Sequence, residues 1–172
     1  MQEKKISSEI KYTGRVLDLK VDTVELPDGK QTQREVVIHP GAVAVAAVNE
    51  RNEIILVRQF RYPVGEILLE VPAGKLNRGE NPLACAKREL AEETGLGATD
   101  WTHLSTFYTT PGFSNEIMYL YKAAGLFKNV MASDDDEFIE VHPVPVKRAV
   151  DMIKSGEIRD VKTIAGILMV AE

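Results

Sequence analysis

Glu89, Glu92 and Glu93 are the residues most able to do chemistry in this chain. Residues three and four apart share one face of a helix, so Glu89 and Glu93 stack one turn apart with Glu92 beside them. Like charges at that spacing destabilise a helix by about 0.2–0.5 kcal/mol per pair. Arg88 lies four residues before Glu92 and can pair with it, but no basic residue lies three or four positions from Glu89 or Glu93. A local rule broken without local compensation points to a functional site. The chemistry that stacked carboxylates suit is the binding of a hard divalent cation. Mg²⁺ takes oxygen ligands and keeps waters and substrate phosphates in its shell. The bland alternative is a solvated acidic face.

The element that positions these groups is well specified. Asn81 suits a helix N-cap and Pro82 the first helical position. Leu83, Ala86 and Leu90 form an apolar stripe, and Gly95 is placed to end the helix in a left-handed cap, with Leu96 packing back. One face is therefore core and the opposite edge acidic. Ahead of the helix, Val71-Pro72-Ala73-Gly74-Lys75 reads as a strand end and a tight loop.

Gly74, five residues, Glu80, seven residues, Arg88-Glu89-Leu90, one residue, Glu92-Glu93, one residue, Gly95-Leu96 resembles the Nudix box with no position missing. Arg58-Gln59-Phe60-Arg61 before the box, Val71-Pro72-Ala73-Gly74 at its start, and Pro111-Gly112-Phe113-Ser114-Asn115-Glu116 after it are similar to the ADP-ribose pyrophosphatase branch of that family. The resemblance implies an α/β/α sandwich with a mixed sheet. It also implies hydrolysis of ADP-ribose to AMP and ribose 5-phosphate with Mg²⁺, or Mn²⁺, as cofactor.

The resemblance further implies roles for single residues. Glu89, Glu93 and the backbone carbonyl of Ala73 are the expected metal ligands. Glu92 and Glu80 either ligate or hold those that do, and Glu92 is carried with Glu93 as a catalytic residue. A carboxylate in the acidic run Ser133–Glu137 is expected at the metals, as ligand or as base on the attacking water. Glu137 fits that place best and Asp135 is the second candidate. Arg61, Leu76, Thr110 and Glu116 are expected to touch substrate, and Arg34 to reach a phosphate. Outside the resemblance the plain readings are solvated edge charges for Arg58 and Arg61, a strand-start charge for Glu116 and an exposed strand residue for Arg34. Arg88 is expected to orient the carboxylates.

The rest of the chain supplies the frame. Residues 1–9 are polar and read as frayed. Apolar residues from Ile10 to Leu26 and from Gln33 to Ile38 flank Pro27-Asp28-Gly29-Lys30, which predicts an N-terminal β-hairpin. Residues 1–40 are thus an extension and 41–172 the catalytic domain. Members of the branch are homodimers through such strands, and the resemblance implies the same here, with Arg34 and the neighbours of Val16 lining the site. Gly41–Val48 is a continuous apolar run and reads as a strand buried on both faces. Glu53–Phe60, Ile67–Pro72, Trp101–Tyr108 and Ile117–Ala123 read as further strands. Glu70 lies inside one of them, where a carboxylate needs a partner, and a salt bridge in the site wall is expected. Val146–Ser155 and Asp160–Val170 read as amphipathic helices that cover the core and carry no chemistry.

Composition excludes several classes. The chain has 172 residues, a net charge of −5 and a single cysteine, Cys85. That balance argues against a broad nucleic-acid or membrane surface while leaving room for a small anionic substrate. No disulfide framework exists, and Cys85 reads as a small buried residue. His39, His103 and His142 have no zinc-ligand spacing. No signal or membrane-spanning stretch is evident, so the chain reads as cytoplasmic. The competing functions are hydrolysis of another nucleoside diphosphate derivative, a sugar nucleotide or a dinucleotide, and a non-catalytic nucleotide sensor. The second would be expected to lose box carboxylates, and this chain keeps them.

Overall fold

The structure, a computed structural model, describes residues 1–131 and 138–171. Its chain divides into two units, Met1–Gly41 with Tyr108–Ile117, and Ala42–Phe107 with Met118 onward.

The first unit is built on strands β1 (Lys4–Thr13), β2 (Asp18–Glu25) and β3 (Gln31–Ile38), antiparallel in that order. The turn between β2 and β3 falls where Pro27–Lys30 predicts it, with Gly29 at φ 85°. The frayed start expected for residues 1–9 is not found. β1 begins at Lys4 and pairs along β2, although every residue of it is exposed. Its backbone hydrogen bonds, rather than burial, hold it in place, so its polar composition hid it. The expected hairpin is therefore a three-stranded meander. The Pro-Gly-Phe-Ser-Asn loop docks on the end of β3: the Val37 N–H donates to the Phe113 carbonyl at 2.8 Å, and the His39 N–H to Asn115 Oδ1 at 2.7 Å.

The second unit is an α/β/α sandwich. It contains β4 (Ala42–Ala47), β5 (Glu53–Arg61), β6 (Glu66–Glu70), β7 (Ala73–Lys75), helix α1 (Pro82–Thr94), β8 (Leu96–Tyr108), β9 (Ile117–Lys128), β10 (Glu140–Pro145), α2 (Val146–Ser155) and α3 (Val161–Val170). One sheet runs β7-β4-β9-β8 and the other β10-β5-β6. The first is mixed, because β4 is antiparallel to β7 and parallel to β9.

β4 is the central layer, and all of its residues are buried. Successive side chains of a strand point to opposite faces. Val43, Val45 and Ala47 pack with Cys85, Ala86 and Leu90 of α1. Ala42, Ala44 and Ala46 pack on the other side with Ala149 and Met152 of α2 and Ile167 of α3. Each fully buried leucine or isoleucine in these layers contributes about 1.5–3 kcal/mol. The alanine face lets α3 approach closely: Gly166 of α3 lies against Ala46, Leu120 and Val71.

Candidate active site

Helix α1 starts and stops as its sequence dictates. The Asn81 side chain accepts from the Leu83 and Ala84 N–H groups at 3.0 and 3.2 Å. Gly95 adopts φ 68° and its N–H donates to the Ala91 carbonyl. With Ala86 and Leu90 fixed in the core, Glu89 and Glu93 are carried to the edge of the helix beside the loop after β6. Both are nearly buried, at 9% and 7% exposure.

Strand β7, and not the tight loop expected at Ala73–Lys75, closes on these two carboxylates. Glu93 Oε2 accepts from the Ala73 N–H at 3.0 Å. The Glu89 carboxyl lies so close to Gly74 that a Cβ there would sit 1.9 Å from its carbon. Only glycine leaves that space open. Ala73, Gly74, Glu89 and Glu93 thus meet at one place.

Arg88 does more than the helix-face rule predicts. Its Nη1 donates to Glu92 at 2.8 Å, as the spacing of four implies, and also to Glu89 Oε1 at 2.7 Å. Its Nε donates to Glu80 Oε1 at 3.0 Å. The expectation that Glu89 lacks a cationic partner is therefore corrected: a long, adjacent arginine reaches it without sharing its face. The Arg88 hydrogen bonds hold the Glu80 carboxyl down at about 2. Burial pushes the Cys85 thiol up to about 12, so it is an inert thiol in the core.

Glu70 has the partners its burial demands. Arg61 donates Nε to Oε1 and Nη2 to Oε2, each at 2.7 Å, and Lys162 of α3 donates to Oε2 as well. Burial alone would raise the Glu70 carboxyl, but the Arg61 hydrogen bonds and the Lys162 charge outweigh it and hold it below its ordinary value. The Glu70 hydrogen bond raises Arg61, and the Glu93 charge adds to that.

Leu76 tucks against the core beside α1. In the first unit, Arg34 forks onto Glu3 at 3.0 and 2.6 Å. Thr110 is exposed on the loop that contains it. Glu116 accepts from the Thr109 hydroxyl and lies 3.5 Å from His39 Nδ1. Glu137 and Asp135 lie outside the described residues.

Sequence reasoning missed the start of α3. Asp160 caps that helix by accepting from the Thr163 N–H at 3.0 Å, Lys162 Nζ lies 3.0 Å from Asp160, and the buried Thr163 hydroxyl accepts from the Val71 N–H at 2.8 Å. The available signal was a polar trio, Asp160, Lys162 and Thr163, opening a helix that is otherwise apolar.

Among the described residues no group of three or more His, Cys, Asp or Glu side chains converges as a ready metal site. The donors nonetheless fit a hard cation. Glu89 and Glu93 are nearly buried oxygen donors one helical turn apart, set against the β7 backbone that Gly74 keeps open.

Comparison with known proteins agrees with this geometry. Residues 38–166 match the NUDIX domain, and residues 3–37 match the nucleoside diphosphate sugar hydrolase N-terminal domain. The chain belongs to the Nudix family and is a Nudix hydrolase. It is 46% identical to an ADP-ribose pyrophosphatase of Bacillus subtilis, over 95% of this chain and 89% of the relative. It is 45% identical to a methanol dehydrogenase activator of Bacillus methanolicus, over 96% of this chain and 91% of that one. A solved structure described as an ADP compounds hydrolase shares the fold, with a TM-score of 0.89 at 21% identity over 99% of this chain and 93% of that chain.

Proposed function

We propose that this enzyme hydrolyses the pyrophosphate bond of ADP-ribose, giving AMP and ribose 5-phosphate, with Mg²⁺ or Mn²⁺ as cofactor. The observation that carries the hydrolase chemistry is the meeting of Glu89 and Glu93 with the Ala73-Gly74 backbone. The similarity to an ADP-ribose pyrophosphatase over nearly the whole chain supports the substrate.

Glu89, Glu93 and the Ala73 carbonyl would hold the cation. Bound divalent ions neutralise phosphate oxygens and lower the pKa of a bound water. Glu137 takes the proton of the attacking water as its oxygen bonds to phosphorus and the bridging P–O bond breaks. Glu92 supports Glu93 in that step, and Arg88 keeps Glu89 and Glu92 in place. Arg61 binds the diphosphate, Arg34 reaches a phosphate, and Leu76, Thr110 and Glu116 contact the substrate. The working unit is a homodimer formed through residues 1–40, acting in the cytoplasm.

The test is turnover of ADP-ribose with Mg²⁺, read as AMP by chromatography, beside a chelated sample and a panel of sugar nucleotides and dinucleotides. Release of AMP that chelator abolishes, fastest with ADP-ribose, is expected. Glu93→Gln is expected to lower turnover by at least about a hundredfold with the fold intact, and near-normal turnover would remove Glu93 from the ligand set. A second reading, hydrolysis of a nucleoside diphosphate sugar, is favoured by the match of residues 3–37. Faster cleavage of such a compound in the same panel would establish it.

A further inference from the structure

We propose that Lys162, at the start of α3, is a positioning residue for diphosphate binding: it holds Glu70, and Glu70 aims Arg61. The inference rests on the reading of Arg61 as a diphosphate contact.

Glu70 sits between two cations with its side chain only 2% exposed. Arg61 spends its Nε and Nη2 edge on the two Glu70 oxygens. A guanidinium has five N–H donors in a fixed fork, so this pairing fixes the plane of the group and leaves the Nη1 edge for another anion. The Arg61 side chain is 38% exposed, which keeps that edge within reach of solvent and of a ligand. Glu70 is a fixed mount only if its own orientation is set, and Lys162 sets it by donating to Oε2, the oxygen that also takes Arg61 Nη2.

Lys162 is itself anchored. Its side chain is 11% exposed and is shared between Glu70 and Asp160. Asp160 accepts from the Thr163 hydroxyl at 2.6 Å, and that hydroxyl accepts from the Val71 N–H. One helix end therefore grips the Glu70 side chain and the neighbouring Val71 backbone, just ahead of strand β7, which meets Glu89 and Glu93.

A contact made equally in the bound substrate and the transition state shows in KM and not in kcat. A residue that only supported the fold would lower the active fraction and leave KM unchanged. The experiment is a double-mutant cycle on the full chain with ADP-ribose and Mg²⁺, comparing Lys162→Met, Arg61→Met and the double variant, with thermal melting of each. Lys162→Met is expected to raise KM about tenfold and to leave kcat within about threefold. The double variant is expected to match Arg61→Met alone, and Lys162→Arg to recover most of the loss.

An unchanged KM in Lys162→Met, or KM effects that multiply in the double variant, would overturn the proposal. If Lys162→Met does not fold, Lys162→Gln enters the same cycle, and failure of both to fold would make the lysine structural and the proposal wrong. An unchanged KM in Arg61→Met removes the Arg61 reading and the inference with it, whereas a raised KM there with a normal Lys162→Met removes the inference alone. If another panel compound proves the better substrate, the cycle is run with that compound and the same outcomes decide.

Discussion

Gly74 shows how one missing side chain can make room for a carboxylate. It is not among the glycines with positive φ, so an L-residue meets no backbone strain there. What a Cβ would meet is the Glu89 carboxyl, at 1.9 Å from its carbon. The carboxylate is the far end of a flexible side chain and can swing aside at small cost in stability. A catalytic group displaced by about 1 Å, however, costs on the order of a hundredfold in rate. Gly74→Ala is therefore expected to keep the thermal midpoint near that of the parent and to lose about a hundredfold in turnover. A variant that melts early, or that turns over normally, would show that the glycine serves the fold or nothing. Arg88 illustrates a limit of residue-level reading. Spacing along a helix predicts which side chains share a face, yet a long arginine also reaches its immediate neighbour Glu89 and, across the loop, Glu80.

At the scale of elements, α3 is packed by smallness. The position of a Cβ on Gly166 lies 3.5 Å from Ala46 and 3.6 Å from Leu120 and Val71, ordinary contact distances. Alanine is favoured over glycine in a helix interior by about 0.8–1.0 kcal/mol. Gly166→Ala is expected to stabilise the protein, with a rise of about 1–4 °C in thermal midpoint by calorimetry. A fall would mean that the sheet cannot yield even at ordinary contact distance. The elements that were legible in the sequence are those whose signals are local. Asn81, Pro82 and Gly95 bound α1, and the unbroken run Ala42–Ala47 marks the central strand. The start of β1, Lys4–Glu9, was not legible, because a polar, exposed stretch held by its ladder has no apolar alternation to read. The role of the start of α3 was not legible either, since Lys162 and Thr163 act on Glu70 and Val71, 92 residues away in the chain. The pairing of Glu70 was half legible: burial required a partner, and only the fold could say which.

At the scale of the whole molecule, exposed apolar side chains call for explanation. Ile6, Ile10 and Tyr12 of β1 are 46%, 56% and 60% exposed. Large exposed apolar groups clustered on one strand mark an interaction surface. They support the proposed association of two chains through residues 1–40. Sedimentation velocity at micromolar concentration is expected to give the mass of two chains, and Ile10→Glu to shift it toward one. A single-chain mass for the parent protein would sink the homodimer. Among the described residues no helix is long and apolar enough to cross a membrane.

The grip of Arg88 on Glu80, Glu89 and Glu92 bears on the order of events in the life of the chain. Many small metal-binding domains stay unfolded until their cation arrives. Here the arginine is a counter-ion built into the polypeptide and present from synthesis. Helix α1 can therefore be complete before any metal is met, and the proposed ion would be a late, exchangeable guest rather than a condition of maturation.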